Sequence, residues 1–192
     1  MTETMHDRMV ARTRQLLKET LLLMMEETGF SDVTVRDLTL KANVNRGTFY
    51  LHYRDKYDLI EQMEDELLVG LQKNMNSLNY QEMLECSKLN IPYSPLVEVF
   101  QYLKANGRIL KSLLGTKGDP AFSHKLKLSL NNGIFEVLND RIHDPSIPNA
   151  YVSAFATSAL LGIIEYWLNN EMRQTPEEIA LIYLKIKFYH LQ

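Results

Sequence analysis

A chain of 192 residues, 45% of them hydrophobic, with only eight glycines and six prolines, carries enough apolar material for a packed core and excludes wholesale disorder. Its one cysteine, Cys86, has no partner for an internal disulfide, so nothing points to an oxidising compartment. The net charge of −3 argues against an all-over nucleic-acid coat, and no run is read as the roughly 20 apolar residues of a membrane span or as a signal peptide, so a cytoplasmic protein without membrane contact is expected.

Taken in chain order, the pattern is helical throughout. Leu17, Leu21, Met24 and Met25 recur at i, i+4, i+7 and i+8, one buried stripe of a first helix that Gly29 ends. Thr34 and Asp37 have the spacing of a capping box, with Asp in place of the usual Glu or Gln, at the head of a second helix that runs to about Ala42. Asn43 tolerates left-handed backbone, and Asn45 caps a short third helix through Leu51. Asp55 caps a long fourth helix with Asp58 in its first turn. Val35, Leu38, Ala42, Val44, Phe49 and Leu59 form the expected core of this unit. Further helices are predicted over 56–76, 80–88, 95–105, 107–114, 120–139, 149–171 and 176–190, several opened by a capping residue followed by proline. The fold class is therefore all-α, with about nine or ten helices, no internal repeat, and domains at 8–68 and 69–192.

Charge is unevenly spread. Residues 33–56 hold five cations against two carboxylates, a local net of +3, whereas residues 61–192 hold 12 basic and 15 acidic groups. A small basic patch on an acidic protein can meet phosphates while the remainder is repelled. The patch coincides with two short helices joined by a tight turn, the pattern of a helix-turn-helix over about 33–52, whose second helix enters the major groove. That second helix is poor in apolar residues. Arg46 can aim a donor fork at a guanine edge, Gly47 can let backbone approach, and Thr48 offers a hydroxyl and a methyl. Tyr50, His52 and Tyr53 suit phosphate and sugar contacts, and Lys56, at the start of the next helix, suits a phosphate. Asn45 belongs to the same segment, since residues 45–51 form the expected reading head.

The segment GFSDVTVRDLTLKANVNRGTFYLHYRDKYDLIEQM resembles the DNA-binding domain of the TetR family of transcriptional regulators, on the blocks VTVRDL, RGTFYLHY and DKYDLI. The resemblance covers about 60 residues, back to about residue 8. It implies that Thr34 and Arg36 touch DNA from the second helix, that Arg46, Gly47, Thr48, Tyr50 and His52 line the recognition helix, and that Tyr53 and Lys56 bind backbone. Asn43 stands where the family usually has Gly, and Thr39 where a small Ala is usual.

The remaining two-thirds reads as a helical regulatory and dimerisation domain. Ala154, Ser158 and Gly162 form a ridge of small residues that lets another helix approach. The last helix is apolar on two sides, with Ile179, Ile182, Tyr183 and Ile186 on one of them, and so needs two partners; a two-fold homodimer supplies the second. The closing segment also resembles a TetR C-terminal class common in Gram-positive bacteria, which implies that the last two helices pair across the dimer axis. The family resemblance implies a small-molecule inducer, for which Met83, Phe100, Tyr102, Phe122, Phe135, Tyr166 and Trp167 are the candidate pocket residues. His124 and His143 lack zinc-type spacing, and there is no nucleophile–base pair or glycine-rich phosphate loop, so no metal, no cofactor and no enzymatic activity are expected. The expected function is a transcriptional regulator, most often a repressor, that binds a pseudo-palindromic double-stranded operator and is released by ligand. The alternative is a TetR-like co-regulator that acts through a partner protein without binding an operator itself.

Overall fold

The computed structural model describes residues 5–138 and 147–189, without the side chains of 135–138. Ten α-helices account for nearly all of it: α1 (Met5–Thr28), α2 (Val35–Lys41), α3 (Arg46–Tyr50), α4 (Lys56–Met75), α5 (Tyr80–Leu89), α6 (Ser94–Ala105), α7 (Gly107–Leu114), α8 (Phe122–Leu138), α9 (Asn149–Asn169) and α10 (Pro176–Lys187). A short 3-10 turn, Phe30–Asp32, joins α1 to α2. No strand occurs among the described residues, so the fold class is all-α as expected.

The chain divides into two compact units, one of residues up to Glu66 with Ser112–Pro120, the other of Leu67–Lys111 with the residues from Ala121 onward. In the first unit, Leu17, Leu21 and Met25 of α1, Leu38 of α2, Phe49 of α3 and Leu59 of α4 are buried together as its core. Local chemistry sets the joints between these helices. Asn43 takes φ 52, the left-handed geometry that lets α2 stop and the chain turn. Asp55 accepts the backbone N–H groups of Tyr57 and Asp58 at 2.8 and 2.9 Å, satisfying the first donors of α4. The expected capping box on α2 is only half formed. The Thr34 hydroxyl oxygen accepts from the Asp37 N–H at 3.1 Å, but the Asp37 carboxylate takes the Thr34 hydroxyl proton at 2.6 Å rather than a backbone N–H. Asp is one methylene shorter than the Glu that completes the box at Thr175 and Glu178.

The segment 112–120, assigned from sequence to the larger domain, belongs instead with the first unit. The Phe30 N–H donates to the Lys117 carbonyl at 3.0 Å, and the Lys117 ammonium donates to the Glu27 carbonyl at 3.0 Å, one of the carbonyls left open at the end of α1. Gly29, at φ 92, makes the bend possible.

In the second unit α10 packs on α5, α6 and α9, and α8 packs along α9. Trp167 meets Phe100 edge to face with ring centres 5.6 Å apart. By length and composition α9 passes for a membrane span, with a mean hydropathy of 1.3 over its most apolar 18 residues, against the expectation that no run would. Tyr, Ser, Thr and Gly interleave its apolar residues, so no uninterrupted run is visible in the sequence. Its packed face also carries polar groups: the buried hydroxyls of Ser153 and Thr157 donate to Asn131 of α8 at 2.9 and 3.2 Å.

Asp58 carries a pH-dependent share of stability. The Arg54 backbone N–H, foremost, and the Gln62 amide hold its carboxyl below the usual Asp range. A carboxylate whose pKa is depressed by folding stabilises fully above its unfolded pKa of about 3.9 and loses that share as pH falls through the folded value. Asp58→Asn keeps an acceptor for Arg54 but removes the titration. Urea unfolding across the acid range is expected to show a shallower loss of stability in Asp58→Asn than in the wild type; identical slopes would mean that Asp58 is not the group responsible.

Candidate nucleic-acid interface

The outward surface of α3 is built by what α3 buries. Phe49 is fully buried and Tyr53, just beyond the helix, is 1% exposed; the two rings lie 5.7 Å apart. With that side held in the core, the 100° step of an α-helix turns Arg46 and Tyr50, at i and i+4, to the outside. The Arg46 guanidinium donates to the Tyr50 hydroxyl at 3.1 Å and sits 5.6 Å from the centre of its ring. Tyr50 also meets the ring of buried Phe49 edge to face, with ring centres 5.5 Å apart, which steadies the pair. The pair is therefore a preformed cationic and aromatic surface of the kind that stacks on sugars and donates to phosphate or guanine.

Asn45 serves the backbone first: its side-chain oxygen accepts the Gly47 N–H at 2.7 Å. This also explains Gly47, because a Cβ there would approach that same oxygen to 3.2 Å. Gly47 thus makes room for the cap, a reason local to the helix. Thr48 and His52 are half-buried at the edges of the outward surface, and Arg36 of α2 is exposed. Thr34, exposed at the head of α2, has its proton and one of its two lone pairs engaged with Asp37.

Two sequence expectations are corrected here. Tyr53 is not a backbone-binding residue on the surface: it lies in the core beneath Arg14, whose guanidinium is 5.5 Å from the ring centre, and burial pushes its hydroxyl pKa up. The alternation of Tyr50, His52 and Tyr53 looked uniformly polar and aromatic, but Tyr53 is four residues from Phe49 and shares its inward side. Lys56 is likewise committed inside the protein. Its ammonium donates to the carbonyls of Phe30 and Ser31 at 2.9 and 2.8 Å and rests on the ring of Phe30 at 4.9 Å, so it closes the turn between α1 and α2. Leu51, 81% exposed between Tyr50 and His52, is an outward apolar residue at the end of the 45–51 segment, not singled out as a contact from sequence. Its place in the 3.6-residue rhythm, two beyond buried Phe49, was the available signal.

The candidate ligand pocket does not assemble from the residues proposed for it. Met83, Phe100, Phe122 and Trp167 are sealed in the core, and the Tyr102 hydroxyl is spent on the Leu67 carbonyl at 3.0 Å. Tyr166 faces outward, 71% exposed, and the side chain of Phe135 lies outside the described residues. On α9, Ala154, Ser158 and Gly162 are exposed, as are Ile182 and Ile186 on α10. Ile179 and Tyr183 are instead buried, each 5% exposed, because with Ala180 and Leu184 they form the stripe that α10 turns into its own subunit. No group of three or more potential metal ligands occurs among the described residues.

Two short helices, a left-handed turn residue between them, and a cationic outward second helix define a helix-turn-helix protein of the DNA-binding class. Residues 19–63 match the family described as bacterial regulatory proteins, tetR family, and residues 92–186 match one described as transcriptional regulator C-terminal region. The chain belongs to the TetR family of transcriptional regulators, whose members are typically DNA-binding repressors. It is 28% identical over 167 residues to YxbF of Bacillus subtilis (strain 168), described as an uncharacterized HTH-type transcriptional regulator; the match takes in 85% of this chain and 42% of that protein. The chain thus spans about two-fifths of the length of the curated relative it matches. Among solved structures it is similar to a TetR transcriptional regulator from Streptococcus agalactiae 2603V, at 24% identity and TM-score 0.67, covering 94% of this chain and 96% of that one. It is also similar to the dihydroxyacetone kinase operon activator DhaS, at 14% identity and TM-score 0.62, covering 93% of this chain and 95% of that one.

The corrected roles of Tyr53 and Lys56 separate in experiment. Tyr53→Phe and Lys56→Met are each expected to leave the salt dependence of DNA binding at the wild-type slope, with Lys56→Met lowering the urea midpoint. A phosphate contact at either position would show as a slope reduced by about one released counterion, roughly 0.9 in the log–log plot.

Proposed function

We propose that this protein is a sequence-specific DNA-binding transcriptional regulator that acts as a homodimer, represses from a pseudo-palindromic operator, and leaves it when a small molecule binds. The observation that carries the reading is the exposed Arg46–Tyr50 pair on α3, held outward by buried Phe49 and Tyr53 and joined by exposed Arg36 on α2. Thr48, His52 and the free amide nitrogen of Asn45 extend that surface, and Thr34 and Gly47 lie at its edge. An outward helix of this kind fits the major groove, and its cations supply the phosphate attraction that dominates affinity.

Support for the homodimer comes from α9 and α10. Tyr151, Phe155 and Tyr166 of α9 are 71–77% exposed, and Ile182 and Ile186 of α10 stand beside them at 39% and 56%. So much aromatic and aliphatic surface on two adjacent helices is costly in water and is the signature of a protein partner. Gly162 lies in the middle of this surface with open space where a Cβ would be, so a facing helix can approach its backbone. Two reading heads on a two-fold axis would meet half-sites about one helical turn apart. A ligand that binds the free and operator-bound forms unequally would shift the DNA equilibrium by linkage.

Two experiments test the reading. In gel shifts with fragments from around the protein's own gene, Arg46→Ala combined with Tyr50→Ala is expected to abolish specific retention while leaving helix content unchanged; retention equal to wild type would remove α3 from the interface. Gly162→Arg introduces a long cation where the isolated subunit has room for it. Sedimentation is expected to show a dimer for the wild type and a weakened or absent dimer for Gly162→Arg at unchanged circular dichroism. An unaltered dimer would place the pairing surface elsewhere.

A further inference from the structure

The line of α3 directly opposite its buried anchor is apolar. Leu51 follows the helix with φ −73 and ψ −20, and its N–H donates to the Gly47 carbonyl at 3.2 Å, so it continues the helical spiral by one residue. With a step of about 100° per residue, Gly47 lies ~160° and Leu51 ~200° around the axis from Phe49. The two straddle the direction that points straight away from the core. Leu51 is 81% exposed there. Gly47 adds no side chain, and among the described residues only the Asn45 cap oxygen lies near the place of its absent Cβ. Arg46 and Tyr50 stand on one flank, ~60° and ~100° from Phe49, and half-buried Thr48 stands ~100° away on the other.

A helix laid in a major groove puts the side opposite its anchor deepest, against the base edges, and turns its flanks toward the groove walls. The flanks of α3 carry the groups that donate and accept. Its deepest line carries a branched hydrocarbon with neither capacity. Over a donor or acceptor of a base edge, a leucine would strip water and return no hydrogen bond. The C5-methyl of thymine is the apolar group that unmodified DNA offers on that floor. The missing side chain at Gly47 lets the backbone come close enough for Leu51 to reach it. A protein partner could also cover a leucine, but the guanidinium groups of Arg46 and of exposed Arg36 on α2 match a groove walled by phosphates.

We propose that Leu51 is a specificity-determining residue that reads thymine through its C5-methyl, so that the operator carries a thymine facing the deepest line of α3. The inference rests on the regulator reading given above and adds what this part of the surface recognises. Discrimination here works without a hydrogen bond. Thymine gives the leucine an apolar neighbour, and any other base leaves a polar edge dehydrated beneath it.

The test uses the full chain to select duplexes from a random pool. Each thymine of the selected site is then replaced in turn by deoxyuridine, which removes the methyl and nothing else. The wild type is expected to have one thymine in each half-site where uracil weakens binding roughly fourfold, the factor for one buried methyl. Leu51→Ala, a change at an exposed position, is expected to bind the thymine and uracil duplexes of that position equally. A selected site at which the wild type is indifferent to every uracil would overturn the proposal without reference to any variant, and would leave the regulator reading standing. A fourfold thymine preference kept by Leu51→Ala would assign the methyl to another residue and overturn it as well. Recovery of no specific site contradicts the regulator reading itself, and this inference with it.

Discussion

The burial of Phe49 is the constraint on which the rest depends. Phe49 is fully buried, and a five-residue helix with one buried anchor has only one way to present its remaining side chains. Because Phe49 and Tyr53 point in, Arg46 and Tyr50 point out, and the two make a preassembled pair before any DNA arrives. Such a short helix has almost no stability of its own. It exists because Asn45 caps one end, Phe49 is held by the core, and the following turn is gripped by Asp55 and Asp58 at the head of α4.

The turn between α1 and α2 is the second fixed point. Lys56 and Lys117, from opposite directions in the chain, each place an ammonium on backbone carbonyls at the end of α1 and in the 3-10 turn. These cations are spent on architecture. The cationic character of the outward α2–α3 surface therefore comes from fewer groups than the sequence count of this segment implies, chiefly Arg46 and Arg36. Arg54, 81% exposed on its side chain, keeps a loose pairing with Asp58 at 3.5 Å.

Helix positions were legible in the sequence because their signals are local. The caps at Asn45, Asp55 and Thr175, the prolines at helix starts and the apolar stripe of α1 depend only on near neighbours, and the observed helices follow them within a few residues. The outward placement of Arg46 and Tyr50 was legible for the same reason. What failed were inferences about which side of a short segment faces the core. Tyr53 and Lys56 read as polar and therefore external, but a tyrosine can bury its ring and a lysine can cap carbonyls, and only tertiary contacts decide. The same holds for Ile179 and Tyr183, inward on a helix apolar on two sides, and for segment 112–120, whose attachment to α1 runs through residues some 90 positions away. Of the residues first considered for a pocket, Met83, Phe100, Phe122 and Trp167 turned out to be core while Tyr166 faces outward, because helical spacing alone does not say which aromatic lines a cavity.

The central claim is that α3 reads DNA as one of two heads on a two-fold protein. Hydroxyl-radical footprinting of the bound DNA tests it most directly. The account predicts two protected patches, on one side of the duplex and about one helical turn apart, centred on a pseudo-palindrome. A single protected patch, or uniform protection without register, would contradict it.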